Sequence, residues 1–226
     1  MKRVSLLSAC VLFVACGPIG ADFRHGVPTA EAVRLEVPSG GGQALSGEVG
    51  QKRDAVKGQR SDFYKLTVGV TDGVNGGVAW VLGLVKAITD YPATSVQGNT
   101  AVWGPWTDDL KPTTWKLTVT RVAADKYEYK LEGKPKTADD SAYLVVLSGT
   151  HSPALDAAGN AMEHYGSGVF TLDFDASQKL PHEQGDDVGQ ITVDYARLDP
   201  SSETLIDVDF HQVKDDETGE RVDAAY

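Results

Sequence analysis

Cysteine is nearly absent. Cys10 and Cys16 are the only two in 226 residues, and both lie within the first sixteen positions. A disulfide framework for the body of the protein is thereby excluded, as are cysteine-built metal sites. Positive charge is also scarce, with 21 Lys and Arg against 32 Asp and Glu, a net charge of −11, and no basic cluster denser than the Gln51-Lys52-Arg53 region. Nucleic acid is excluded as a partner, because phosphate recognition needs a concentrated cationic surface. Anionic headgroups are disfavoured for the same reason, and the acidity reads as solubility. There is no Gly-x-Ser-x-Gly elbow, since Tyr165-Gly-Ser-Gly168 lacks the spacing, and no His-Glu-x-x-His zinc motif. The five histidines are scattered, and the adjacent pairs Glu163-His164 and His182-Glu183 would point to opposite faces of a strand. The chain therefore reads as a non-enzyme without a cofactor.

What is present first is an export signal. Lys2 and Arg3 precede an apolar stretch from Val4 to Ala15 that is too short to span a bilayer. Cys16 follows the small residue Ala15 and resembles the lipobox cysteine of bacterial lipoproteins, which is acylated and becomes the mature N-terminus. Cys10, in Leu7-Ser8-Ala9-Cys10, is the better tetrapeptide, but cleavage there leaves too short an apolar region. Gly17, where Asp would favour inner-membrane retention, points to the outer membrane, facing the periplasm or the cell surface. Loss of Lys2 and Arg3 leaves 19 basic against 32 acidic residues, a net charge of −13. Attachment would then rest on the acyl chains. The domain reading is a signal peptide at 1–15, a lipidated tether at 16–32 rich in Gly and Pro, and one β-rich domain at 33–226.

Val33-Arg-Leu-Glu-Val37 alternates as a half-buried strand does, and Pro38-Ser-Gly-Gly-Gly42 ends it. Residues 62–90 carry two patterns. Phe63, Leu66, Val70, Val74, Val78, Val81, Val85 and Ile88 recur at helical spacing behind Asp62 as a cap, whereas Tyr64 to Val70 alternate and Asp72-Gly73 and Asn75-Gly76-Gly77 signal turns. The unbroken stripe favours one long helix packed on a sheet. Asp72 and Asn75 make a bilayer-spanning helix costly, despite Gly69, Gly73 and Gly77 on one face.

From Thr100 onward, short alternating runs separated by turns predict an antiparallel β-meander or barrel-like sheet. Its apolar face would carry Leu117, Val119, Tyr127, Tyr129, Leu131, Phe170, Leu172, Phe174, Ile191, Val193, Tyr195, Ile206, Val208 and Phe210. Arg221-Val-Asp-Ala-Ala-Tyr226 starts a further strand, from which we expect a chain truncated relative to its relatives.

Two groups of side chains are candidate sites. Asp173 and Asp175 on one strand, Asp194 on the next and Asp207 and Asp209 on a third would share the polar face, either binding a hard cation such as calcium or keeping an outer face solvated. The solvated face is the preferred reading. Trp103, Trp106 and Trp115 cluster around Pro105 and Pro112, either stacking on a sugar ring or, as preferred, closing one end of the core.

The order of Cys16, strand, Asn75-containing helix, Trp103-Gly-Pro-Trp106, Trp115-Lys-Leu-Thr-Val, Gly166-Ser-Gly168 and Gly189-Gln-Ile-Thr-Val-Asp-Tyr195 resembles a group of uncharacterised bacterial lipoproteins. That resemblance implies a type II signal peptide ahead of a β-rich domain and brings no activity. Tyr143-Leu-Val-Val-Leu-Ser-Gly-Thr with Leu155-Asp-Ala-Ala-Gly-Asn-Ala-Met162 is similar to the final hairpin of bacterial immunoglobulin-like repeats, which implies a sandwich. Two functions remain: a structural or interaction protein of the envelope with a filled core, and a periplasmic binding module holding an apolar small molecule or lipid in the sheet's interior.

Overall fold

The computed structural model describes residues 21–34, 78, 81–107, 111–181, 187–215 and 218–225. They form one antiparallel sheet of nine strands in sequence order: β1 (Ser95–Gln97), β2 (Thr100–Thr107), β3 (Thr113–Ala123), β4 (Lys126–Pro135), β5 (Leu144–Leu155), β6 (Ala161–Asp173), β7 (Gln190–Arg197), β8 (Leu205–Lys214) and β9 (Arg221–Ala225). The expected meander is present, but no barrel: among the described residues β1 and β9 do not pair with each other, and the sheet is not closed. A sandwich is absent as well, since all nine strands belong to one sheet. The hairpin between β5 and β6 does turn on Leu155-Asp-Ala-Ala-Gly-Asn, where the Asp156 carboxylate accepts from the Ala158 and Asn160 backbone N–H groups.

Alternation sets the two faces. On one face, Trp103, Leu117, Leu131, Leu147, Leu172, Ile191 and Phe210 stand opposite one another across seven strands. A parallel row runs Ala101, Val119, Tyr129, Gly149, Phe170, Val193 and Val208. The first five residues of the first row and all side chains of the second are buried. The reverse face is left to water, as one-sided antiparallel sheets allow. Threonine hydroxyls pair across it at Thr100–Thr120 (3.2 Å) and Thr171–Thr192 (3.0 Å), and Glu132 bridges Lys116 and Lys130, each at 3.2 Å.

Among the described residues, two segments from the N-terminal half cover the apolar face. A 3-10 turn at Ala21–Gly26 lays Phe23 edge-on against Tyr127, with ring centroids 6.4 Å apart. Gly26 is needed for this approach, because a Cβ there would fall 2.7 Å from the Tyr127 ring and from Val119. Val27, Ala32 and Val33 complete the docking. The tether expected through residue 32 is therefore core from Phe23 onward, and Val33 lies in a turn rather than opening a strand. Short apolar side chains among Gly and Pro carry no periodicity from which such docking is read. Residues 35–37 of the expected strand lie outside the described residues.

The second cover is a helix, α1, at 81–89, which buries Val81, Leu82, Val85 and Ile88 in the same apolar cluster; Val78 joins them. Asp90 and Pro92 end it. These are the last positions of the expected apolar stripe. The rest of the long helix expected over 62–90 lies outside the described residues, and a long helix is not shown. No helix among the described residues is long and apolar enough to cross a membrane.

Close approach also decides the middle of the sheet. Gly168 stands between His151 and Tyr195 in the strand register, and a Cβ on it would meet the Thr150 carbonyl oxygen at 2.1 Å and the Tyr195 hydroxyl at 3.0 Å. Gly168→Ala is expected to destabilise the fold by about 3 kcal/mol or to prevent folding, read as a drop in the urea midpoint; an unchanged midpoint refutes this packing.

Candidate functional site

Two cavities flank the covering layer. The first, of about 330 Å³, lies where the 21–33 segment and α1 meet β5 and β6, and its wall includes His25, His151, His164, Glu31 and Glu163. His151 is buried, and its Nδ1 lies 2.6 Å from the Tyr195 hydroxyl, a contact made across β6 over Gly168. A Cβ on Gly166 would meet His151 Cε1 at 2.5 Å. The Gly166-Ser-Gly168 motif thus makes room for a histidine–tyrosine pair instead of presenting a nucleophile. Sequence reasoning passed over this pair, although two glycines within one strand are a sign of close approach. Burial pushes His151 down to about 4, with a Ser167 backbone hydrogen bond opposing and His25 adding to the shift. At neutral pH the ring is uncharged. His164 is on the rim, with Nδ1 2.9 Å from the Thr29 hydroxyl and 3.6 Å from Glu31 Oε2. Among the described residues no three His, Cys, Asp or Glu side chains are grouped to hold a metal ion.

The second cavity, of about 470 Å³, opens between the C-terminal end of α1 and the start of the sheet. Here the three candidate tryptophans part company. Trp103 and Trp115 are 2% and 3% exposed and belong to the core, as the preferred reading expects. Trp106, 45% exposed, and Tyr91, 70% exposed, both line it, together with Pro105 and Pro92. Trp103 lines it as well, and its indole Nε1–H donates to the Tyr91 carbonyl at 2.9 Å. The Gly104 N–H donates to the Thr94 hydroxyl at 2.9 Å, tying β2 to the segment after α1. The Gly104–Pro105 peptide is cis. Tyr91 was not singled out in sequence, because it is brought to Trp106 only by the return of the chain through β1.

No protein-family model, no curated protein and no solved structure matches this chain. Function must be read from geometry alone.

The five aspartates are likewise divided. Asp194 and Asp207 are directly opposite each other on the open face, and Asp209 faces Thr192 beside them. Asp173 ends β6 and caps a short helix, α2 (Phe174–Ser177), accepting from the Ala176 N–H at 2.8 Å. Asp175 is therefore in that helix and not on the strand. Its carboxylate takes a two-pronged contact from Arg221, both at 2.8 Å, and a third bond from the Gly189 N–H. Those bonds, Arg221 first, hold Asp175 down to about 2. The five carboxylates do not form one surface.

Two outcomes follow from these contacts. His151 binds its proton more readily unfolded than folded, so its contribution is complete above pH 6.5 and is lost as pH falls toward 4, by about 3 kcal/mol for a shift of this size. His151→Gln should flatten the urea midpoint between pH 7 and pH 4, where the wild-type midpoint declines. Asp175 acts in the same sense and lower down, stabilising above the ordinary carboxylate range and losing that contribution as pH falls toward 2. Arg221→Gln should speed amide exchange at 221–225 while leaving β3 to β6 protected; unchanged exchange in β9 refutes the anchoring role.

Proposed function

We propose that this is a lipid-anchored protein of the cell envelope that acts without catalysis, by binding at its surface. The observation that carries this reading is the filled core. Trp103, Phe170 and Tyr195 are wholly buried under the covering layer. A carrier of an apolar molecule or lipid, the competing reading, needs volume inside the covered face, where these rings already stand.

Anchoring through Cys16 has a geometric consequence. The docked part of the chain begins at Ala21, so only residues 17–20 separate it from the acylated cysteine. Such a leash reaches at most roughly 18 Å even fully extended. The Ala21–Gly26 side of the domain would then ride close to the outer-membrane surface, with acyl chains rather than charge supplying the affinity. A single chain holds only marginally, so stable attachment requires the several acyl chains of a lipoprotein terminus.

Replacing Cys16 tests the anchor. Cys16→Ser is expected to move the protein from the membrane pellet to the soluble fraction, and intact mass of the wild type should exceed that of the chain from residue 16 by its acyl groups. Retention of Cys16→Ser in the pellet, or a bare wild-type mass, refutes it.

A further inference from the structure

We propose that the groove between Tyr91 and Trp106 is a binding site for a neutral saccharide. This deepens the surface-binding reading and rests on it. The groove is bounded by two aromatic side chains that a core would cover: Tyr91 is 70% and Trp106 45% exposed, although Trp115, which faces Trp106 in the strand register, is buried. Pro92, Pro105, Ile88 and Trp103 line the groove with them. At about 470 Å³ it falls within the range of small-ligand pockets.

Three properties select the ligand. First, the groove is held open by the rest of the fold. The Trp103 indole fixes the backbone of Tyr91 at 2.9 Å, and Thr94 fixes Gly104 at 2.9 Å, so the lining is positioned by bonds that no ligand has to make. Second, it does not favour an anion. Among the described residues that line it the one carboxylate, Asp90, is paired with Lys86 at 2.8 Å, and the acidic chain as a whole repels anions. Third, its lining mixes polar and apolar side chains. Tyr91, Asp90 and Thr94, whose hydroxyl accepts from the Gly104 N–H and keeps its own hydrogen, line it together with Ile88, Pro92, Trp103, Pro105 and Trp106. A sugar ring has this division: C–H groups on its faces for aromatic stacking and hydroxyls around its edge for polar contacts. An alkyl chain would leave the polar groups of this lining without partners, and an anionic ligand would meet an acidic chain.

The test uses the exported protein as Cys16→Ser, titrated with cellotetraose and with the tetramer of N-acetylglucosamine while tryptophan fluorescence is followed, with an acidic uronic-acid tetramer as the charge control. One or both neutral tetramers should bind and shift the emission, and the acidic one should not. Trp106→Ala and Tyr91→Ala should each weaken binding roughly tenfold, with Tyr91→Phe retaining most of it. Both side chains are exposed, so the melting temperature of each variant should stay within a few degrees of the parent. No binding of either neutral tetramer up to ~10 mM, equal binding of the acidic tetramer, or binding that Trp106→Ala leaves unchanged overturns the proposal. Binding of an alkyl detergent or a proline-rich peptide in place of the sugars also overturns it. Membrane fractionation of Cys16→Ser is independent of these results, so a protein that is anchored but blind to sugar refutes this site alone, and one that binds sugar but is not anchored refutes the anchor alone.

Discussion

A single antiparallel sheet with one face in water has to bury the other, and that requirement sets what the rest of the chain must do. The rows from Trp103 to Phe210 and from Ala101 to Val208 present a continuous apolar surface across seven strands. Among the described residues, the Phe23–Val33 segment, Val78, one face of α1 from Val81 to Ile88, Ala93 and the Ala176–Leu180 region join the sheet in one apolar cluster. Apolar burial dominates folding free energy, so the placement of these covers decides which parts of the sheet are rigid. Toward β9, where all five residues are exposed, the Arg221–Asp175 contact substitutes for a core.

Two cavities border α1, one toward β5 and β6 and one toward β1 and β2. At the β5–β6 cavity the protein has buried polar chemistry: the His151–Tyr195 pair replaces apolar side chains and is admitted by glycines at 166 and 168. At the β1–β2 cavity it has exposed apolar chemistry, with Tyr91 and Trp106 in water beside a buried Trp103. A buried polar pair constrains packing through its hydrogen bond. Exposed aromatics stabilise nothing in the free protein, and this asymmetry is why the second cavity, and not the first, is read as a site of recognition.

Much of the sheet could be read along the chain, because period-two alternation is local. Leu117, Val119, Tyr127, Tyr129, Leu131, Phe170, Leu172, Val193, Tyr195 and Val208 are all on the covered face and buried, and the connections are short enough that strand order follows chain order. Ile191, Ile206 and Phe210 share the face but are only half-buried. Phe174 and Asp175 were misassigned to β6 for a local reason: their alternation continues that of Phe170 and Leu172, while the Asp173 side chain caps a helix at that point. Within the candidate sites, closeness in sequence around Pro105 and Pro112 identified the tryptophans but not which of them faced water.

The residues by themselves determined the antiparallel meander and its apolar face, since both depend on composition or on neighbours one or two positions apart. Whether the sheet closes, what covers it, and which side chains meet depended on contacts between residues far apart in the chain. His151 reaches Tyr195 over Gly168 on the strand between them, and Arg221 reaches Asp175 from the last strand. Tyr91 faces Trp106 only after the chain has left α1, turned through β1 and come back. Such juxtapositions are set by strand register and by the room that glycine leaves, and neither has a local periodicity to carry it.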